Sequence, residues 1–198
     1  MAGVLGRIKR GLRRALGQPD PDDLWHPLTI KLPGRGSLHA YRMQEQHVFC
    51  KVRPLSHRCL QVGVPNWTDE KFGPQWVSVD LFDHRPCIDH QMDICHMDGF
   101  EDESFDAVWC CAVLEHVRDP FAAAREISRV TRPGGEIWIE VPFIQPYHPT
   151  GILHTHGGDF WRFTPEGVRE LFPHFESVAC GAIDEGAILL HARKKSGK

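Results

Sequence analysis

No stretch of the chain approaches the ~20 consecutive apolar residues that a membrane-spanning helix needs, which excludes a transmembrane protein. A secretory signal peptide is not expected either, because Arg7, Lys9 and Arg10 interrupt the first apolar residues. The 7 cysteines (Cys50, Cys59, Cys87, Cys95, Cys110, Cys111 and Cys180) are odd in number and form no C-x-x-C pair. Neither a disulfide framework nor a structural zinc site is therefore expected, and the thiols read as reduced in a cytoplasmic protein. An excess of base is also missing. A formal charge of −3 argues against a chain whose main role is to coat nucleic acid. No G-x-G-x-x-G run follows the first regular strand, which disfavours a dinucleotide-dependent dehydrogenase.

What remains is ordinary globular composition, 198 residues with 41% apolar and 25% charged, enough for one domain with short extensions. Its charge is uneven: residues 1–18 carry Arg7, Lys9, Arg10, Arg13 and Arg14 and no acid, so the rest of the chain carries −8 of the net −3. At helical spacing Val4, Leu5, Ile8, Leu12, Ala15 and Leu16 fall opposite those bases, the pattern of a basic amphipathic helix. Such a helix lies on an anionic membrane or in a partner's groove, or packs on its own domain with a solvated basic face. Gly3, Gly6 and Gly11 each cost about 1 kcal/mol of helix stability, which favours ordering on contact. A mitochondrial presequence is disfavoured by the lack of serine there. Residues 19–56 form an N-terminal extension, broken at Asp20-Pro21-Asp22-Asp23 and turning at Pro33-Gly34-Arg35-Gly36, with Leu28–Leu32 and His47–Val52 as short candidate strands.

From residue 57 the pattern is regular and predicts one domain over 57–198. Strands are expected at Cys59–Val64, Trp76–Leu81, 87–93, Phe105–Cys111 and Glu136–Val141, with a turn or two of helix near Asn66–Phe72. Asp119 followed by Pro120, and Thr164 followed by Pro165, are start signals for helices ending near Thr131 and Phe172. Phe175–Ile183 and Ala187–Arg193, joined by Asp184-Glu185-Gly186, close the chain as an antiparallel pair. The fold class is α/β: a Rossmann-like three-layer sandwich, its sheet mostly parallel with a C-terminal antiparallel hairpin. In such a sheet ligands sit beyond the carboxyl ends of the strands.

The runs Glu103-Ser104-Phe105-Asp106-Ala107-Val108, Val113-Leu114-Glu115-His116-Val117 and Arg132-Pro133-Gly134-Gly135 resemble the class I S-adenosylmethionine-dependent methyltransferases, in particular a small group with the same Leu-Glu-His-Val step. Asp159-Phe160-Trp161-Arg162-Phe163-Thr164-Pro165 is similar to members associated with glycan and cell-surface biosynthesis. The resemblance spans residues 57–193 and implies S-adenosylmethionine as cofactor. It puts Asp80 on the ribose diol, where a strand-end carboxylate can accept both hydroxyl hydrogens, unless Asp80 only caps its strand. It puts Asp93 on the adenine amino group, with Asp98 and Asp102 as alternatives. Leu81 and Ile94 are taken as cofactor contacts beside these acids, and Cys110 and Cys111 end the strand that passes the methionine end. Gly63 keeps one glycine of the family's first loop, but Gln61 stands at its acidic position and Val64-Pro65 at later glycines. The alternative implied is a fold that has lost its cofactor.

The acceptor side is expected after the fifth strand, where Gln145, Tyr147, His148, His154, His156, Asp159, Trp161 and Arg162 combine aromatic and hydrogen-bonding groups suited to a small-molecule or glycan acceptor. His148 and Asp159 are the candidate catalytic residues for transfer to oxygen, within a lid running from Gln145 to Arg162. No metal is assigned, since the spacing of His148, His154, His156 and Asp159 matches no ligand motif. Glu115 and His116 are read as local structure, Ala112 standing where a further acidic ligand would be wanted.

Overall fold

A computed structural model describes residues 31–32, 36–65, 68–148, 158–183 and 186–197. A two-residue ladder, β1 (Lys31–Leu32) with β2 (Gly36–Ser37), leads into helix α1 (Leu38–Lys51). There follow β3 (Cys59–Val62), β4 (Trp76–Asp80), β5 (His90–Gln91), β6 (Phe105–Cys111), α2 (Pro120–Val130), β7 (Thr131–Pro142), α3 (Pro165–Leu171), β8 (Phe175–Ile183) and β9 (Ala187–Lys194). The main sheet has the order β5-β4-β3-β6-β7-β9-β8. Its first five strands are parallel, and β9 and β8 complete it as an antiparallel edge. The chain leaves β3 toward β4 and β5 and later returns to its other side with β6. The crevice between the ends of β3 and β6 is therefore the topological switch point, where a ligand is expected.

Strand alternation divides the core into two layers. On β6, Phe105, Val108 and Cys110 face α2 and α3 together with Leu60, Ile137, Ile139 and the helix residues Ala123, Ile127 and Val168. Ala107 and Trp109 face the other way, toward α1, with Trp76, Trp138, Tyr41 and Phe49. The caps form as their residue types require: Asp119 Oδ1 accepts from the Ala122 amide at 2.9 Å and Thr164 Oγ1 from the Gly167 amide at 3.0 Å. Gly135, in the first half of β7, has no room for a side chain, since a Cβ would stand 2.9 Å from the Arg132 carbonyl and 3.1 Å from that of Asp106.

Several expectations need correction. His47–Val52 is not a strand; residues 47–51 are the last turns of α1, whose Leu38, Tyr41, Phe49 and Cys50 are buried against the sheet. Arg42 of the same helix chelates Glu140 of β7 at 3.0 and 3.1 Å, and Trp138 Nε1 donates to that carboxylate at 2.8 Å. α1 is thus held to the domain by both apolar and polar contacts. Residues 68–72 form bends instead of helix, and the third parallel strand shrinks to His90–Gln91, so Asp93 lies in the loop beyond it. The amphipathic segment 1–18, most of Leu28–Leu32, residues 66–67, the hairpin residues 184–185, and His154 and His156 lie outside the described residues. No helix among the described residues is long and apolar enough to cross a membrane.

Candidate functional site

At the carboxyl end of β3, Gly63 adopts φ 73° and its amide donates to the Val79 carbonyl at 2.9 Å. A Cβ here would meet Val113 Cγ2 at 3.0 Å and Asp80 Oδ2 at 4.0 Å, so Gly63, Val113 and the Asp80 carboxylate meet in one cradle at the strand end, where the glycine admits the close approach of Val113. Oδ1 of Asp80 accepts from the amides of Phe82 and Asp83, both at 2.9 Å, which fixes the carboxylate and leaves Oδ2 toward Gly63. Gln61, fully buried at the family's acidic position, accepts from the Phe72 amide at 3.2 Å through Oε1, and its Nε2 faces the Gly63 carbonyl at 3.4 Å. The loop after β3, which carries Val64-Pro65, has a further support. Arg85, paired with Asp83, donates to the carbonyls of Val64 at 2.7 Å and Thr68 at 2.7 Å. Nothing in the spacing of the chain announces that clamp.

The other expected cofactor residues separate by environment. Asp93 is half-buried and its Oδ1 accepts from the Cys95 amide at 2.8 Å, while Ile94 behind it is part of the core. Of the alternatives, Asp98 is exposed and Asp102 is tied to Arg129 at 2.8 Å. Leu81 is exposed next to Asp80. Cys110 does not offer its thiol: the side chain is sealed in the core between the sheet and α2, where burial pushes its pKa well up. The Cys111 thiol lies on the other face, 3.8 Å from Glu140 Oε2. Only the backbone of these two residues reaches the strand end.

Beyond β6 the chain pivots at Ala112, whose φ of 53° is unusual for a residue with a Cβ. The pivot turns Val113 onto Gly63 and starts a single 3-10 turn, Leu114–His116. This turn buries the Glu115 carboxyl completely, and neither of its oxygens has a hydrogen-bond partner among the described residues. Burial pushes the Glu115 pKa up to about 7, against the opposing pull of its own backbone amide and of His148. Two imidazoles face it: His116 Nε2 at 3.8 Å and His148 Nε2 at 3.7 Å from Oε1. Their rings meet edge to face at a centroid distance of 5.4 Å.

The other side of this site is formed by residues 145–148 and 158–162, which have no regular secondary structure. Asp159 accepts from the His148 amide at 2.7 Å and is paired with Arg162 through both oxygens. The Arg162 guanidinium holds the Asp159 carboxyl well below the usual carboxylate range. The same guanidinium donates to the carbonyls of Gln145 at 3.1 Å and Pro146 at 3.0 Å. With both oxygens engaged and the side chain fully buried, Asp159 is a clamp for the His148 segment and not a free base. Phe160 and Trp161 dock this clamp on the 3-10 turn, the Phe160 amide donating to the Glu115 carbonyl at 2.7 Å and Trp161 Nε1 to that of Val117 at 2.8 Å. The exposed rings of Tyr147, Phe160 and Trp161 stand on the flanks of the cluster. His148 thus stands beside Glu115 and His116, the two residues read from sequence as local structure.

Comparison with known proteins bears on the fold and on part of the sequence. Residues 73–139 match the family described as methyltransferase domain. A ubiquinone biosynthesis O-methyltransferase of Xanthomonas oryzae pv. oryzae is 50% identical over 36 residues, 18% of this chain and 15% of the relative. An uncharacterized methyltransferase of Mycobacterium sp. is 40% identical over 62 residues, 30% of this chain and 25% of the relative. The chain therefore spans a quarter or less of these curated relatives. Among solved structures, a Burkholderia thailandensis 1,6-didemethyltoxoflavin-N1-methyltransferase with bound S-adenosylhomocysteine is 18% identical with a TM-score of 0.53, covering 98% of this chain and 89% of that one. A SAM-dependent methyltransferase from Aquifex aeolicus is 10% identical with a TM-score of 0.54, covering 89% and 100%. A cyclase with a TM-score of 0.56 shares the fold at 17% identity, covering 86% and 87%, so architecture alone does not set the reaction. The chain shares the fold of these methyltransferase structures, and its residues 73–139 match the methyltransferase-domain family.

Proposed function

We propose that this protein transfers a methyl group from S-adenosylmethionine to an oxygen of a small-molecule or glycan acceptor. The observation that carries the reading is the meeting of Gly63, at φ 73°, with the Asp80 carboxylate at the ends of β3 and β4, beside the switch point of the sheet. When bound, the cofactor supplies a methyl group on a sulfonium, activated for in-line displacement. Asp80 takes the ribose hydroxyls, Asp93 the adenine amino group, and Ile94 closes the wall behind it. Beyond β6, the Glu115–His116–His148 cluster receives the acceptor hydroxyl. The ring nitrogens turned toward Glu115 are available for its proton. Tyr147 and Trp161 offer exposed aromatic faces beside polar groups, which suits a sugar. The likeness to an O-methyltransferase over 36 residues supports oxygen as the acceptor atom.

Calorimetric titration with S-adenosylhomocysteine, followed by incubation with S-adenosylmethionine and a panel of hydroxylated acceptors, tests the reading. Heat of binding and a mass gain of one methyl on an acceptor are expected. Gln61 and Val64-Pro65 favour the opposing reading, a fold that no longer takes the cofactor. No heat and no thermal shift at millimolar ligand would establish that reading instead.

A further inference from the structure

We infer that Glu115, His116 and His148 form a site for one divalent first-row transition ion of the zinc type, with Glu115 Oε1 and the two imidazole Nε2 atoms as ligands. Among the described residues these three side chains bring one ligand atom each within 4.8 Å of one another. Proximity alone would not carry the inference. The buried carboxylate adds an independent reason, because both its oxygens lack a partner while its side chain is fully out of solvent. An isolated buried carboxylate costs several kcal/mol unless a cation or hydrogen bonds compensate it.

The imidazoles are set up for coordination by their other nitrogens. His116 Nδ1 lies 2.8 Å from the Gly158 carbonyl and His148 Nδ1 lies 2.7 Å from the Pro146 carbonyl. A carbonyl oxygen only accepts, so Nδ1 carries the hydrogen in both rings and Nε2, facing Glu115, is the nitrogen left for an ion. A ligating histidine characteristically donates its second N–H to a backbone carbonyl or carboxylate, which fixes both tautomer and ring orientation. Here the Asp159–Arg162 clamp holds the carbonyl that does so for His148. Ligand atoms at ~2.0–2.2 Å from a four-coordinate ion stand about 3.4 Å apart. The observed 3.8 and 3.7 Å separations from Glu115 Oε1 need only a few tenths of an ångström of closure. Two imidazoles with one carboxylate select zinc, iron, cobalt or nickel over magnesium and calcium, which prefer all-oxygen shells.

His148 is the most exposed of the three, 39% against 10% for His116, so the open coordination positions lie on its side. An acceptor hydroxyl bound there would be acidified by the ion instead of giving its proton to an imidazole. That consequence rests on the oxygen-acceptor reading; the ion site itself does not.

The test uses the full chain, stripped with a chelator and titrated with Zn2+ by calorimetry and with Co2+ by visible absorption. One ion per chain is expected, bound at micromolar or tighter, with the ligand-field bands of a nitrogen- and oxygen-ligated Co2+. Glu115→Gln, His116→Ala and His148→Ala should each weaken binding by more than about 100-fold, beyond the loss typical of outer-shell changes. A His154→Ala/His156→Ala double variant should bind as the parent does, which separates the site from adventitious capture by other histidines. Should an alanine variant not fold, Glu115→Gln is near-isosteric and decides alone: Zn2+ should raise the Tm of the parent and not of E115Q. Unchanged Zn2+ affinity in E115Q, no saturable binding by the parent, or binding lost with His154 and His156 would each overturn the inference. Titrating S-adenosylhomocysteine into the stripped protein keeps the two readings apart, since its binding does not need the ion.

Discussion

Replacing Asp80 tests the cofactor geometry most sharply, because its two oxygens do different things. Oδ1 ties down the turn after β4 through the amides of Phe82 and Asp83, and Oδ2 faces the Gly63 cradle. In Asp80→Ala both are lost. The hydrogen bonds from a ribose diol to an ionised acceptor are worth about 1.5–3 kcal/mol, so S-adenosylhomocysteine should bind roughly 10- to 150-fold more weakly. The two orphaned amides should also lower stability by about 1–2 kcal/mol, as loss of a capping side chain does. Asp80→Asn separates the effects. Its carbonyl oxygen can keep the turn, while its amide group presents donors where the ribose hydroxyls need an acceptor. Calorimetry with S-adenosylhomocysteine, alongside urea denaturation of the free protein, reads both quantities. Weakened binding in both variants, with stability lost only in the alanine variant, is the expected pattern. Full affinity in Asp80→Asn would show that the ribose lies elsewhere and that Asp80 serves its turn alone.

Two further predictions follow from the same contacts. Arg85→Ala removes donors to the Val64 and Thr68 carbonyls and should weaken S-adenosylhomocysteine binding by loosening the loop beyond Gly63, with Arg85→Lys recovering little because one ammonium cannot span those partners; unchanged affinity in Arg85→Ala would refute the clamp. Acid should destabilise the fold: Glu126 beside Arg129 and Asp83 beside Arg85 have carboxyl pKa values lowered by those partners, and Glu136 is likewise lowered despite its burial, through Arg193 and Arg53. Each contributes stability that is complete above the ordinary carboxylate range and is lost as pH falls through the folded-state values, so urea midpoints should drop below about pH 4. A midpoint unchanged at pH 3 would remove these pairs from the stability argument.

The parts of the fold legible in sequence are those with strong local chemistry. Asp119-Pro120 and Thr164-Pro165 start their helices, Phe105–Cys111 is a strand with the boundaries its apolar run suggests, and the closing hairpin strands begin where expected. α1 escaped because His47–Val52 mixes Val48, Phe49 and Val52 in a short run that suits strand and helix alike. What decides for helix is tertiary: Phe49 stacks on Trp138 of β7 at 5.4 Å, a contact across 89 positions. The candidate site divides the same way. Asp80 and Gly63 are readable because each sits at a strand end, where position implies role. The partnership of Glu115 with His148 is not, since 33 positions and a folded-back segment separate them. Nor does any local pattern distinguish Asp159, the clamp, from Asp159 the base; only the Arg162 fork on both its oxygens does.

The two halves of the site are coupled through a single short stretch. Ala112, held in the left-handed region, ends β6 and sends Val113 onto Gly63 in the cofactor cradle. Three residues later the same turn delivers Glu115 and His116 to the acceptor side, and Phe160 and Trp161 fasten the His148 segment onto it. A left-handed alanine costs about 1 kcal/mol or more, and such strain persists only where surrounding structure over-determines it. Here the Ala112 amide donates to the Glu140 carbonyl at 3.0 Å, while the Glu140 side-chain carboxylate is held by Arg42 and Trp138. The two halves of the proposed site are therefore tied to the opposite face of the sheet, by a helix outside the segment that matches the methyltransferase domain family.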